Sequence, residues 1–240
     1  MKFVIIASGF NCAEYVHNCI NSILQQTYSD FTAVVISDGS TDKTGEKLSE
    51  IVHPKIITEV HSDNMGAAHR RYFAIHKYAN PDDVILLLGL DDELKPNCLE
   101  TVIEHYKKGK WMTYGNWIDQ YGQGLPQTFQ LDFDDETHRN RDYRKVLYRS
   151  TAPNTFYQFL FANIPECDFK INGKWIDSTT ESETMFSCLE MCGKDRIGII
   201  YEPIYLYRKN LPNGTLSRLG VDYKYKIYDV VKAREKKTLL

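Results

Sequence analysis

Short apolar runs recur along the first half of the chain, each closed by a polar turn and followed by a stretch of helical spacing. Lys2 to Ala7, Phe31 to Ile36 and Lys55 to Val60 read as strands. Ala13 to Gln26 places Tyr15, Val16, Cys19, Ile20, Ile23 and Leu24 on one helical face, and a second helix is expected from about Lys43. Ala67 to Tyr78 reads as a third helix. Lys95 to Lys108 reads as a fourth, with Cys98, Leu99, Val102, Ile103 and Tyr106 as its apolar side. Strands alternating with helices predict an α/β fold, a mostly parallel sheet with helices on both faces. Right-handed crossovers then bring the polar turns to one sheet edge.

One run stands apart. Val84 to Leu90 is apolar throughout, which suits a strand covered on both faces, and it stops abruptly at Asp91, Asp92 and Glu93. A strand so buried delivers the residues after it to the edge where open α/β sheets bind ligands. Adjacent carboxylates repel, and a divalent cation would offset that. Oxygen ligands suit Mg²⁺ or Mn²⁺, ions that usually bring substrate phosphates with them. The plainer alternative is a solvated acidic turn capping a helix. The other turns expected at this edge are Ser8-Gly9-Phe10-Asn11, Ser37-Asp38-Gly39-Ser40-Thr41-Asp42 and Asn64-Met65-Gly66. Asp38, Arg71 and Asp91-Asp92 are thus expected to share one crevice. The arginine suits a phosphate or nucleotide ring, and the carboxylates suit a ring N–H, a ribose hydroxyl or the metal.

The second half is less regular. Trp111 to Trp117 and Ile197 to Ile200 read as strands, and Gln120 to Gln130, with Gly122, Gly124 and Pro126, as a mobile loop. Asp132 to Arg149 mixes charges of both signs. Its run Arg139 to Lys145 reads as a solvated face, with an anion-binding surface as the alternative. Phe156, Tyr157, Phe159 and Phe161 read as core packing rather than as a sugar-stacking platform. A helix follows Thr180-Glu181-Ser182-Glu183, carrying Met185, Phe186 and Leu189, and Asp222 to Leu240 reads as a last helix with a basic end.

Composition narrows the class. A chain of 240 residues, 42% hydrophobic and 25% charged, supports a single domain with one sizeable core. A formal net charge of −3 gives no nucleic-acid surface. No apolar run approaches the roughly 20 residues of a membrane span. The first residues read as a strand and are too short for a signal peptide, so Asn213-Gly214-Thr215 carries no weight as a glycosylation site. The six cysteines form no C-x-x-C pair and read as reduced core thiols of a cytoplasmic protein.

Several stretches, in the same order, carry a resemblance. They are Val4 to Asn11, Cys19 to Tyr28, Ser37 to Asp42, Asn64-x-Gly66 through Arg71, Leu90-Asp91-Asp92, Thr180 to Glu183, and Tyr201 to Arg208. In these the chain resembles the inverting glycosyltransferases of family 2, which have the GT-A fold. The resemblance implies a nucleotide-sugar half over 1–108, an acceptor half over 109–221 and a C-terminal helix or tail over 222–240. It implies donor contacts from Ser8, Gly9, Phe10, Asn11, Asp38, Arg71, Asp91 and Arg208, and a Mn²⁺ or Mg²⁺ ion on Asp91 and Asp92. The donor would be a nucleoside-diphosphate sugar, a UDP-sugar in the first instance, and the acceptor a hydroxyl of a glycan, lipid or protein. The basic end Lys232 to Lys237 reads as a solvated helix end, with a weak peripheral contact with an acidic membrane surface as the alternative. The chain departs from the family pattern at four places. Ser37 stands for the first acid of the nucleotide turn, and Gly89 for a third acid before Asp91. Asn210 stands where many relatives have a histidine, and Ser182 replaces the usual catalytic aspartate. Serine is a poor general base unless activated, so the role passes to Glu181, Glu183 or Asp177.

Such a transfer needs stabilisation of the leaving diphosphate, a base opposite it, and exclusion of water by a loop such as Lys209 to Arg218 or Gln120 to Gln130. Two rival readings stand beside it. One is a nucleotidyltransferase, disfavoured because Ser8 to Asn11 has no basic residue. The other is a non-catalytic module binding a nucleotide sugar or glycan, suggested by Ser182 and Gly89.

Overall fold

The computed structural model describes residues 1–209, 211 and 215–240, with the side chains of 215 and 216 left aside. The strands are β1 Phe3–Gly9, β2 Phe31–Asp38, β3 Ile56–His61, β4 Val84–Gly89, β5 Glu93–Leu94, β6 Met112–Asp119, β7 Asn154–Tyr157, β8 Lys170–Ile171, β9 Lys174–Trp175 and β10 Ile197–Tyr207. The helices are α1 Val16–Leu24, α2 Thr44–Ser49, α3 Ala67–Tyr78, α4 Cys98–Lys107, α5 Asp135–Asn140, α6 Gln158–Ala162, α7 Thr180–Cys192, α8 Thr215–Leu219 and α9 Val221–Lys232.

Eight strands form one sheet in the order β3-β2-β1-β4-β7-β6-β10-β5, so both halves of the chain share it. β1, β2, β3 and β4 pair in parallel, as do β6 and β10. β7 runs antiparallel to both β4 and β6, and β6 therefore points the same way as β4. The C-terminal ends of β1, β2, β3, β4, β6 and β10 thus meet at one edge, where such sheets bind ligands.

Alternation along the strands feeds two cores. Val4, Ile6, Ile85, Leu87, Met112 and Tyr114 pack under α3, α6, α7 and α9. Phe3, Ile5, Ala7, Val84, Leu86 and Leu88 pack under α1 and α4. The aromatics Phe156 and Phe161 lie in the first core, as expected.

Three expectations are corrected. Helix α9 stops at Lys232, and the segment beyond it straps back onto the domain. Lys236 pairs with Asp142 and Lys237 with Asp168, so the basic end is spent on internal ion pairs rather than offered to an anionic membrane. The charged run before β7 is not simply a solvated face, because Arg144 is 5% exposed and bonds to Glu183 and Glu190. Five cysteines are buried and all six are free, but Cys167 is exposed. The loop after β6 is tied at its base. Ile118 bridges to Gly124, and the Gln120 amide exchanges two 3.0 Å hydrogen bonds with the Lys209 backbone. Among the described residues no helix is long and apolar enough to cross a membrane.

Candidate active site

The acids after β4 stand at the centre of the edge. Asp92 is 4% exposed; its carboxylate accepts from the Tyr205 hydroxyl at 2.6 Å and from the Arg208 amide at 2.8 Å. Asp91 receives, among the described residues, no donor beyond its own amide. Burial pushes the Asp91 carboxyl above its ordinary value, and Arg71 and Arg208 offset that only in part. Asp92 is pushed well above, first by burial and then by the charge of Asp91. A half-buried and a buried carboxylate that both resist ionisation are an unbalanced arrangement, of the kind a cation balances.

Gly89 leaves its space to the two acids that follow it. A Cβ at this position would lie 2.6 Å from Asp91 Oδ1 and 2.7 Å from Asp92 Oδ2. Both carboxylates therefore flank the one point where a side chain would begin. Among the described residues no group of three metal-ligating side chains forms. Two carboxylates with diphosphate oxygens and waters still suit Mg²⁺ or Mn²⁺, which seldom take a full set of protein ligands.

Facing this pair, Glu181 opens helix α7 and keeps 40% of its side-chain surface open to the cleft. The guanidinium of Arg71 pairs with it, and Arg71 also donates to Ser8 Oγ at 3.1 Å and Thr180 Oγ1 at 3.3 Å. Burial would raise the Glu181 carboxyl, but Arg71 outweighs it and holds the group below the usual carboxylate range. The residue before the helix, Thr179, has φ +54°. Left-handed backbone is a true outlier for a β-branched residue, and such strain clusters at working sites. Ser182, at the position of the usual aspartate, is buried beside Tyr148.

The remaining expected site residues separate. Asp38 does not reach out for a ligand with both oxygens; it accepts from the amides of Met65 and Gly66 and from Arg70 Nε at 2.6 Å, fixing the start of α3. Arg70, not Arg71, is its partner. Gly9 is needed for close packing, since a Cβ there would meet Leu90 at 2.6 Å and Cys12 at 2.7 Å. Asn11 bonds to Thr41 and Ser40 and so joins the turns after β1 and β2. Phe10 lies under the Arg218 guanidinium, 4.9 Å from its ring centre. Arg208 pairs with Glu93 and lies 5.0 Å from the Tyr15 ring.

Two candidate bases are engaged by other groups. Glu183 is 0% exposed and bonds to Arg144, Arg234 and Ser187, a structural role. Asp177 sits against Gly66 and accepts from Tyr223 of α9 at 2.8 Å. The expected metal-proximal position Asn210 and most of the Asn213-Gly214-Thr215 pattern lie outside the described residues.

Tyr205 and Tyr207 are site residues that sequence reasoning misses. Tyr205 anchors Asp92, while Tyr207 is pushed up to about 12 by burial and by Asp92, Asp91 and Glu181. Their alternate positions on a strand ending at this edge are the available signal.

A parallel sheet whose strand ends gather an acid pair, an arginine and a carboxylate on a facing helix defines an α/β domain of the GT-A kind. A family model described as Glycosyl transferase family 2 matches residues 4–163, and the chain belongs to that family. An uncharacterized glycosyltransferase of Nostoc sp. is 33% identical over 111 residues, 45% of this chain and 33% of that protein. The glycosyltransferase GlyG of Streptococcus pneumoniae is 23% identical over 97% of this chain and 78% of its own length. The crystal structure of S. aureus TarS 1-349 in complex with UDP-GlcNAc shares the fold, with a TM-score of 0.69 at 17% identity over 96% of this chain and 65% of that one. The chain thus spans about a third of the Nostoc relative's length.

Proposed function

We propose that the chain is an inverting, metal-dependent glycosyltransferase that moves a sugar from a UDP-sugar to an acceptor hydroxyl. The observation that carries this reading is the raised, unbalanced carboxylate pair Asp91 and Asp92, placed opposite an ionised Glu181. Asp91 and Asp92 would hold Mn²⁺ or Mg²⁺, which supplies charge stabilisation to a departing diphosphate. Tyr205 and the Arg208 amide hold Asp92 in place for that task. Glu181 Oε accepts the proton of the acceptor hydroxyl as its oxygen bonds to the anomeric carbon. The bond to the diphosphate breaks on the opposite face, its electron pair leaving with the diphosphate. One displacement with one base inverts the centre. Arg71 keeps the base charged, and its second nitrogen on Ser8 fixes the angle of the pair. That UDP-GlcNAc occupies the related TarS fold supports a UDP-sugar donor.

Mass spectrometry of reactions holding a panel of UDP-sugars, Mn²⁺ and mixed hydroxyl acceptors tests this. Glycoside plus UDP is the expected result. Release of sugar 1-phosphate, with the uridylyl group left on the acceptor, would establish a nucleotidyltransferase. Donor binding without turnover would establish the non-catalytic module that Ser182 at the aspartate position favours.

A further inference from the structure

A hollow of about 560 Å³ lies between the strand pair β6–β10 and the segment before α5, within the range of small-ligand sites. None of the expected donor contacts lines it. It is on the α7 side of the sheet. Asn116 on its wall shares strand parity with Met112 and Tyr114, which pack in the core under α7. Tyr114 donates to the Leu131 carbonyl at 3.1 Å beneath it. Tyr148, packed on Phe186 of α7, stands within electrostatic reach of both Glu181 and Tyr114. The hollow therefore lies on the side of the sheet that α7 covers, the helix whose first turn carries the proposed base.

The sheet is built irregularly here. The β6–β10 register shifts between Ile200 and Pro203, a bulge that turns Tyr201 outward, 63% exposed. Asn116 holds the bulge, donating to the Tyr201 carbonyl at 3.0 Å. Tyr201 and Phe129 give the hollow aromatic faces, and Gln127 and Gln130 give it amides. Asp132 spends Oδ1 on His138 at 2.9 Å, and Asp134 spends Oδ1 on the Thr137 amide at 2.7 Å. These bonds hold both carboxylates in place at the wall of the hollow, where they can accept from hydroxyl groups. No lysine or arginine is among the lining residues. Arg149 approaches two lining residues, bonding to the Gln130 carbonyl and lying over the Phe133 ring, so its charge is partly spent there. Aromatic faces with fixed carboxylates fit a sugar's C–H and O–H surfaces, and they repel a phosphate.

We infer that this hollow is an acceptor subsite that takes an uncharged sugar residue of the acceptor. The inference rests on the glycosyltransferase reading. Its test is titration of the UDP- and Mn²⁺-loaded protein with neutral tri- to pentasaccharides and with the same sugars as 6-phosphates, followed by calorimetry. A neutral oligosaccharide should bind, and Tyr201→Ala should weaken it by about tenfold or more. The double variant Asp132→Asn/Asp134→Asn should gain affinity for the phosphorylated form, asparagine being able to cap α5 as aspartate does. Melting temperatures on the same samples separate loss of the subsite from loss of the fold. Binding confined to the phosphorylated sugars, neutral binding indifferent to Tyr201→Ala, or no neutral sugar bound would overturn the assignment. Consumption of UDP-sugar by the unaltered protein in the presence of mixed hydroxyl acceptors distinguishes the two failures. If the donor is consumed while neutral sugars go unbound, only the subsite is wrong; if no donor is consumed, the enzymatic reading fails with it.

Discussion

Two acid pairs, one after β4 and one inside α7, show how surroundings decide what a carboxylate is for. Glu183 and Glu190 lie on one side of α7, 0% and 1% exposed, and meet Arg144 and Arg234 directly. Glu190 is still pushed up by burial, which Arg144 offsets only in part. Asp92 is nearly as enclosed and Asp91 half-buried, but they touch no guanidinium, and the partners of Asp92 are a tyrosine hydroxyl and a backbone amide. The first pair carries its counter-charge in the chain. The second has no counter-charge in direct contact, which is why it is the pair proposed to hold a metal ion.

The comparison breaks most completely at Asp92. Asp92→Asn should abolish the Mn²⁺-dependent part of UDP binding, and unchanged titration heats would show that the ion does not sit there. Arg144→Met tests the other pair. It strips the guanidinium from two buried carboxylates and should cost about 3–5 kcal/mol in chemical denaturation. A loss below about 1 kcal/mol would mean Arg234 and Ser187 suffice. Glu181→Gln should lower turnover by about 10²-fold or more with UDP affinity unchanged. A full rate would reopen the search for the base.

The smallest effect is on pH dependence, and its sign separates the two kinds of carboxylate. A raised carboxyl ionises later in the folded than in the unfolded chain. For Asp91 and Asp92 the resulting loss of stability therefore begins as pH rises past the ordinary aspartate value of about 3.9, and is complete above their raised folded values. Glu181 runs the other way. Its stabilisation is present above the ordinary glutamate value and disappears as pH falls through its lowered folded value. Thermal melts should thus show a decline on the alkaline side of that aspartate value that Mn²⁺ removes. A profile indifferent to Mn²⁺ would count against the site.

Much of this architecture is legible in the residues alone. Helix α3 runs from Ala67 to Tyr78 as periodicity predicts, and β4 delivers its acids to the sheet edge. Pairing across distance is not legible. Arg144 reads as solvated because its neighbours are charged, yet its partners lie 39 and 46 residues away. Asp38 is expected to share a crevice with Arg71, but neighbouring helical residues point about 100° apart. That rotation sends Arg70 to Asp38 and Arg71 to Glu181. Periodicity also gives no sign that β7 inserts antiparallel between β4 and β6, because strand order is a property of the whole sheet.

The bare backbone at Gly89 also constrains what mutation can do to this lineage. Any residue gained there would shoulder aside the two aspartates before it could help them. A third acidic ligand gained at this position would therefore come with a turn of both existing carboxylates.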